Sequence, residues 1–152
     1  MEEIYEGHGI RFSYPAYWEL TEQDDGTSVS LTVSSPDTSF WSVSLFSDGP
    51  APRQLVDSAV EAFRGEYDEI DLYPLPAKGD SQTVGCDVDF VCFELISSAF
   101  LRSFVAGDYT VLVLYQGFDG ELETTRPLLE KISASLEFLD GDKQKAELGS
   151  TD

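Results

Sequence analysis

The sequence predicts an α+β fold: a three-layer α/β/α sandwich in which one mostly antiparallel sheet of about seven strands carries a helix on each face. Three observations predict it. The stretch Val111-Leu112-Val113-Leu114-Tyr115 follows a Gly107-Asp108 turn and carries apolar side chains on both faces of a strand, so protein covers it on both sides. Two segments with apolar residues at helical spacing supply that cover, one mid-chain and one near the end. The other apolar residues alternate with period two, in the order three strands, a helix, four strands and a final helix.

Ile10, Phe12 and Tyr14 alternate with Arg11 and Ser13, and Val29, Leu31 and Val33 alternate with serine and threonine, which predicts two half-buried strands. Residues 15–26 connect them, with Trp18 and Leu20 folding back onto the sheet and Asp24-Asp25-Gly26 making the turn. Phe40 to Phe46 is a third strand, with Trp41, Val43 and Leu45 on one face and Phe40 and Phe46 on the other. Asp48-Gly49-Pro50-Ala51-Pro52 breaks that pattern and starts a helix whose stripe is Leu55, Val56, Ala59, Val60 and Phe63, with Gly65 as its stop. Ile70, Leu72 and Leu75 mark a weaker strand, rich in acid and closed by Pro74 and Pro76, and these features place it at a sheet edge.

Thr83 to Leu95 reads as one long strand, with Cys86, Val88, Phe90 and Cys92 on one face and Asp87, Asp89, Val91, Phe93 and Leu95 on the other. Phe100 to Val105 and Tyr109 to Tyr115 complete a meander through turns at Ser97-Ser98 and Gly107-Asp108. The last helix is expected to be capped by Thr124 or Thr125, with Pro127 in its first turn and Leu128, Leu129, Ile132 and Leu136 as its buried stripe. Residues 140–152 are polar and lack periodicity, so a disordered tail is expected there, leaving 1–139 as a single domain.

With 152 residues, 41% of them hydrophobic, the chain has enough apolar surface for a sizeable core. Its 29 acidic and 9 basic residues give a formal charge of −20, whose long-range field opposes binding to nucleic acid or to an anionic membrane. The same charge fits a basic protein partner or a cation, and adaptation to a salty cytoplasm produces the same excess. Cys86 and Cys92 lie on one face of a predicted strand at a separation of about 20 Å, far beyond disulfide reach. They are expected to be free thiols in a reducing compartment, serving as small core residues. The acidic start Met1-Glu2-Glu3-Ile4-Tyr5-Glu6 has no apolar segment, and no run of about 18 apolar residues follows, so a cytoplasmic chain without signal peptide or membrane span is expected. Nothing in the sequence sets the oligomeric state.

The phrase Phe12-Ser13-Tyr14-Pro15-Ala16-Tyr17-Trp18, in which a strand runs into an aromatic-Pro-x-x-Trp motif, the order of elements, and the closing Ile132-Ser133-Ala134-Ser135-Leu136-Glu137-Phe138 together resemble the PsbP-like superfamily over roughly residues 8–139. That superfamily includes an extrinsic photosystem II subunit and a small Ran-binding nucleotide-release factor, and its fold is similar to that of bacterial effector chaperones. The resemblance implies a binding module without intrinsic catalysis. Its motifs are packing motifs, so no functional residue carries over, and the acidic start without a transit segment argues against the photosynthetic role.

Five groups of side chains bear on chemistry or recognition. His8, the single histidine, lies between Gly7 and Gly9 and would have to serve any Ser-His or Cys-His mechanism alone, so a solvent-exposed histidine is the simpler reading. Asp87 and Asp89 share a strand face at about 6.6 Å, a spacing that suits a hard cation or an acid/base pair but equally a wet strand face. Asp140-Gly141-Asp142 opens like a calcium loop, yet Lys143 and Gln144 break the alternation of oxygen ligands. Glu66, Asp68, Glu69 and Asp71 put four carboxylates within six residues, a cluster able to meet a basic patch on a partner or simply to guard a sheet edge. Tyr5, Tyr17, Trp18, Phe40 and Trp41 would add an apolar recognition surface where exposed, although both tryptophans occupy inward positions of their patterns.

No catalytic, cofactor or metal-ligating residue is assigned. The expected function is a non-enzymatic interaction module binding a protein or peptide through an acidic surface that includes Glu66, Asp68, Glu69 and Asp71. A chaperone-like holder of hydrophobic segments of a secreted or membrane-bound client is the alternative. An enzyme built on Asp87 and Asp89 is the remote one.

Overall fold

The computed structural model describes residues 1–76 and 82–139. The expected tail, and Asp140-Gly141-Asp142 within it, lie outside the described residues. The elements are β1 (Glu2–Gly7), β2 (Ile10–Pro15), β3 (Glu19–Asp24), β4 (Ser28–Ser34), β5 (Phe40–Phe46), α1 (Pro52–Glu66), β6 (Ile70–Pro74), β7 (Val84–Cys92), β8 (Leu95–Ala106), β9 (Tyr109–Phe118), α2 (Asp119–Ser135) and β10 (Glu137–Phe138). The main sheet has seven strands in the order β3-β4-β5-β9-β8-β7-β6, and a second sheet has three in the order β1-β2-β10. Every pairing in both is antiparallel.

Strand register decides which side chains share a face. Trp41 and Phe100 both lie opposite Tyr115, and Val43 lies opposite Val113. This face packs on α2 and the small sheet through Ile10, Phe12, Leu122, Leu129 and Ile132. Leu101 lies opposite Leu114 and Cys86, and this other face packs on Val56, Val60 and Phe63 of α1. Two cores therefore sit back to back with β8 and β9 between them, which is why Val111 to Tyr115 is apolar on both faces. Trp41 is fully buried with its ring centroid 4.9 Å from Phe12, and its indole N–H donates to Ser133 Oγ at 2.8 Å. Burying each such large side chain is worth about 1.5–3 kcal/mol.

The α+β class, the seven-stranded sheet and both helices agree with the sequence pattern, but several boundaries do not. Ile10 to Pro15 belongs to the small sheet, and the place expected for it in the main sheet is taken by β3, within the segment read as a connection. β1 was also missed. Helix α1 begins as expected, with Pro52 in its first turn and the Gln54 side chain accepting the Ala51 N–H at 2.8 Å, and it runs one residue past Gly65. Helix α2 starts at Asp119, well before the expected threonine cap, so Pro127 lies inside it. Thr124 and Thr125 do not cap; their hydroxyls donate to the carbonyl of Glu121 at 3.0 and 3.1 Å. The strand expected from Thr83 to Leu95 ends at Cys92, and the expected Ser97-Ser98 turn lies within the continuous strand β8. The chain reverses instead at Phe93-Glu94, because Cys92 pairs with Leu95.

Candidate functional site

The β7–β8 reversal has two residues in its loop, and both have positive φ, 52° at Phe93 and 66° at Glu94. That is the backbone of a type I′ hairpin turn, which asparagine and glycine adopt readily and which costs a bulky L-residue free energy. The turn holds Phe93 out in solvent, 94% exposed, beside Val91, Leu95 and Ile96 at 36%, 46% and 59%. Val91 lies opposite Ile96, so the two form a cross-strand apolar pair on the sheet face that also carries Asp89.

Next to this hairpin, edge strand β6 places Asp71 directly opposite Asp89. Like charges facing each other across a ladder oppose the pairing. Asp68, Glu69, Asp71, Asp89, Val91 and Ile96 line one open cleft of about 560 Å³, and no lysine or arginine lines it among the described residues. Asp89 is oriented by Ser98, whose Oγ is 2.9 Å from Asp89 Oδ1 and 2.8 Å from Asp119 Oδ1. One hydroxyl proton serves only one of these carboxylates at a time. Chemically the cleft offers carboxylate acceptors beside apolar surface, an arrangement suited to a cationic group carried on an apolar segment.

Of the four acids singled out in the sequence, the structure brings Asp68, Glu69 and Asp71 to this cleft. Glu66 is the last residue of α1 and is not among the lining residues. Asp87 and Asp89 share a face as expected, but Asp87 is ion-paired with Arg102 at 2.9 Å. His8 sits in the β1–β2 turn with φ 53° and its Nε2 is 2.8 Å from Glu22 Oε2, which ties the small sheet to β3. Cys86 and Cys92 are both free; Cys86 is buried, and burial pushes its thiol up, consistent with a core role. Trp18 and Trp41 are core residues, whereas Tyr17 is exposed. Among the described residues no group of three or more His, Cys, Asp or Glu is placed to hold a metal ion, and no helix is long and apolar enough to cross a membrane.

Two further surfaces bear on binding. On the side of the main sheet that carries α1, β4 and β5 present hydroxyls, with Ser30 Oγ and Ser44 Oγ 2.9 Å apart. Between α2 and the opposite face, Phe104, Val113, Tyr115, Leu136 and Phe138 line an apolar groove of about 370 Å³ with Arg102 at its side.

The sequence matches no family model and none of the curated proteins. Among solved structures, the cyanobacterial PsbP (CyanoP) of Synechocystis sp. PCC 6803 is similar with a TM-score of 0.55 at 12% identity, over 90% of this chain and 92% of that one. The fold is PsbP-like. A protein of Bacteroides thetaiotaomicron is similar with a TM-score of 0.51 at 19% identity, over 90% of this chain but 47% of that one, so the present chain spans about half its length. At these identities the likeness is one of fold. Within this PsbP-like fold, the sequence resemblance carried by residues 12–18 maps onto β2 and the buried Trp18, which explains why it reports packing and is silent on the cleft.

Sequence reasoning missed Val91, Phe93 and Ile96 as site residues. Phe-Glu is not a turn signature, and the alternation of residues 83–95 places Phe93 in a strand. The missed signal was the pair Val91 and Ile96 symmetric about two residues, a pattern a hairpin produces and a continuous strand does not require.

Proposed function

We propose that this chain is a non-enzymatic interaction module that receives a basic segment of a partner protein at the acidic cleft between β6 and the β7–β8 hairpin. One observation carries the reading: Asp71 and Asp89 face each other across the strand pair, with Asp68 and Glu69 beside them and, among the described residues, no basic side chain in the lining. Such a cluster steers a cationic partner and is relieved of its own repulsion when that partner binds. The PsbP-like fold supports a binding role by analogy alone.

The test is capture from the native cell lysate at low and high salt, with the wild type beside a variant carrying E66Q, D68N, E69Q and D71N. These positions are all exposed, so the fold should tolerate the changes. Partners held by the wild type at low salt are expected to be lost with the variant and at high salt. Equal retention of every partner by the variant rules the acidic surface out.

The second reading, a holder of apolar client segments, is favoured by the groove lined by Phe104, Val113, Tyr115, Leu136 and Phe138. It predicts partners that stay bound at high salt and that L136E, at the groove wall, releases.

A further inference from the structure

Exposed large apolar side chains are scattered singly over most of this molecule, as at Ile4, Tyr17 and Val105. At one place four of them fall within a single hairpin. Val91, Phe93, Leu95 and Ile96 all belong to the end of the β7–β8 hairpin, and among the described residues it is the one β-turn whose two loop residues both take positive φ without a glycine. The comparable β1–β2 turn has Gly9 in its second position, and the β8–β9 turn opens with Gly107. A phenylalanine in such a position neither packs into a core nor eases the turn. Local rules of sequence are broken twice at neighbouring places along β7, by Phe93-Glu94 in the β7–β8 loop and by Asp71 of β6 against Asp89 across the β6–β7 pair, and such coincidences point to a functional surface.

We propose that the end of the β7–β8 hairpin is the apolar anchor of the docking surface, and that its occupant is a short cationic segment of a partner protein bearing apolar residues. The inference rests on the acidic-cleft reading and deepens it by naming the second half of the recognition chemistry. Phe93 and the Val91–Ile96 pair supply the apolar contact, and Asp68, Glu69, Asp71 and Asp89 supply the charge beside it. The two lie side by side because Val91 is two residues along the same strand face from Asp89. Charge selects among the occupants an apolar tip would otherwise accept. A second copy of the chain would bring an identical acidic rim against this one, and an anionic bilayer would be repelled by it. A cationic segment relieves the facing carboxylates while covering the apolar tip, the usual division of an interface into an apolar centre and a polar rim.

The experiment selects a short random-peptide library, displayed on phage, on the immobilised full chain and measures the enriched peptides against three proteins. These are the wild type, F93N/E94G, which removes the ring while installing the favoured turn residues, and D68N/E69Q/D71N. Enriched peptides should be net positive and carry apolar residues, bind each variant about tenfold or more weakly than the wild type, and shift the backbone amide resonances of residues 89–98 on binding. Loss with the acid variant but full binding to F93N/E94G overturns the anchor and leaves the acidic cleft standing. Peptides without positive charge that bind the acid variant normally overturn the acidic reading itself. No enrichment, concentration-dependent self-association abolished by F93N/E94G, or binding to lipid vesicles through the same tip each overturns the proposal.

Discussion

Glu121 shows how a single carboxylate joins two elements. It lies in the first turn of α2, where a negative charge is favoured, and accepts hydrogen bonds from the Ser35 hydroxyl and from the backbone N–H and hydroxyl of Thr38, in the loop between β4 and β5. Burial pushes its carboxyl up, but the hydrogen bonds from Thr38 and Ser35 outweigh that and hold it below the ordinary glutamate value. A carboxyl held low in the folded state contributes stability that is fully present above its unfolded value and is lost as pH falls through the folded one. E121Q should therefore be less stable than the wild type by about 1 kcal/mol at neutral pH, a figure reduced for partial exposure, and the gap should close in acid. Urea unfolding of both proteins at neutral and acidic pH reads this directly; a gap that persists unchanged into acid would contradict it. The same loop explains Gly117, where an added Cβ would stand 2.5 Å from Ser39 Oγ and 3.3 Å from Ser39 Cα. G117A should accordingly lower stability by about 1–3 kcal/mol, because β9 and the loop would have to separate.

At the scale of elements, the β7–β8 hairpin is the place where the sequence is least suited to its own conformation. Left-handed backbone costs an ordinary L-residue about 1–2 kcal/mol, whereas Asn-Gly adopts the same turn with little strain. F93N/E94G is expected to raise the melting temperature by about 2–4 °C for each kcal/mol of strain relieved, and a fall would show that the wild-type turn carries no strain. The same turn marks the limit of what the sequence discloses. Strands β4, β5 and β9, the second half of β8 and helix α1 were legible because each buries one or both faces, and burial writes a period into the sequence. Strands β1 and β3 bury almost nothing; in β3 only Leu20 is even partly covered, so pairing leaves no apolar period to read. Phe118 precedes α2 without a side-chain capping bond, which displaced the expected helix start toward the threonines. At the candidate site, Asp68, Glu69 and Asp71 were visible as charge density along the chain. Their juxtaposition with Asp89 and Ile96 was not, because it depends on strand register and on a turn that Phe-Glu does not announce.

For the whole molecule the governing quantity is the formal charge of −20. Arg64, Arg102, Arg126 and Lys131 each pair with a carboxylate, but all four pairs are at least partly exposed and so contribute little. The excess acid is left to repel itself, and that repulsion is screened as the Debye length falls from about 30 Å at 0.01 M salt to about 8 Å at 0.15 M. Thermal stability should therefore rise over this interval. Binding of a cationic segment at the β6 cleft should weaken over the same interval, since screening removes an attraction there. Opposite salt dependences of folding and binding distinguish a local recognition surface from a general adaptation to salt, which would strengthen the fold and leave no site behind. D71N sharpens the distinction. It removes one of two like charges directly opposed across the β6–β7 pair, so it should raise stability at low salt by about 0.2–1 kcal/mol and make peptide binding both weaker and less sensitive to salt. A D71N protein that melts lower than the wild type at low salt, or that binds with an unchanged salt dependence, would show that the facing carboxylates are neither strained nor engaged in recognition.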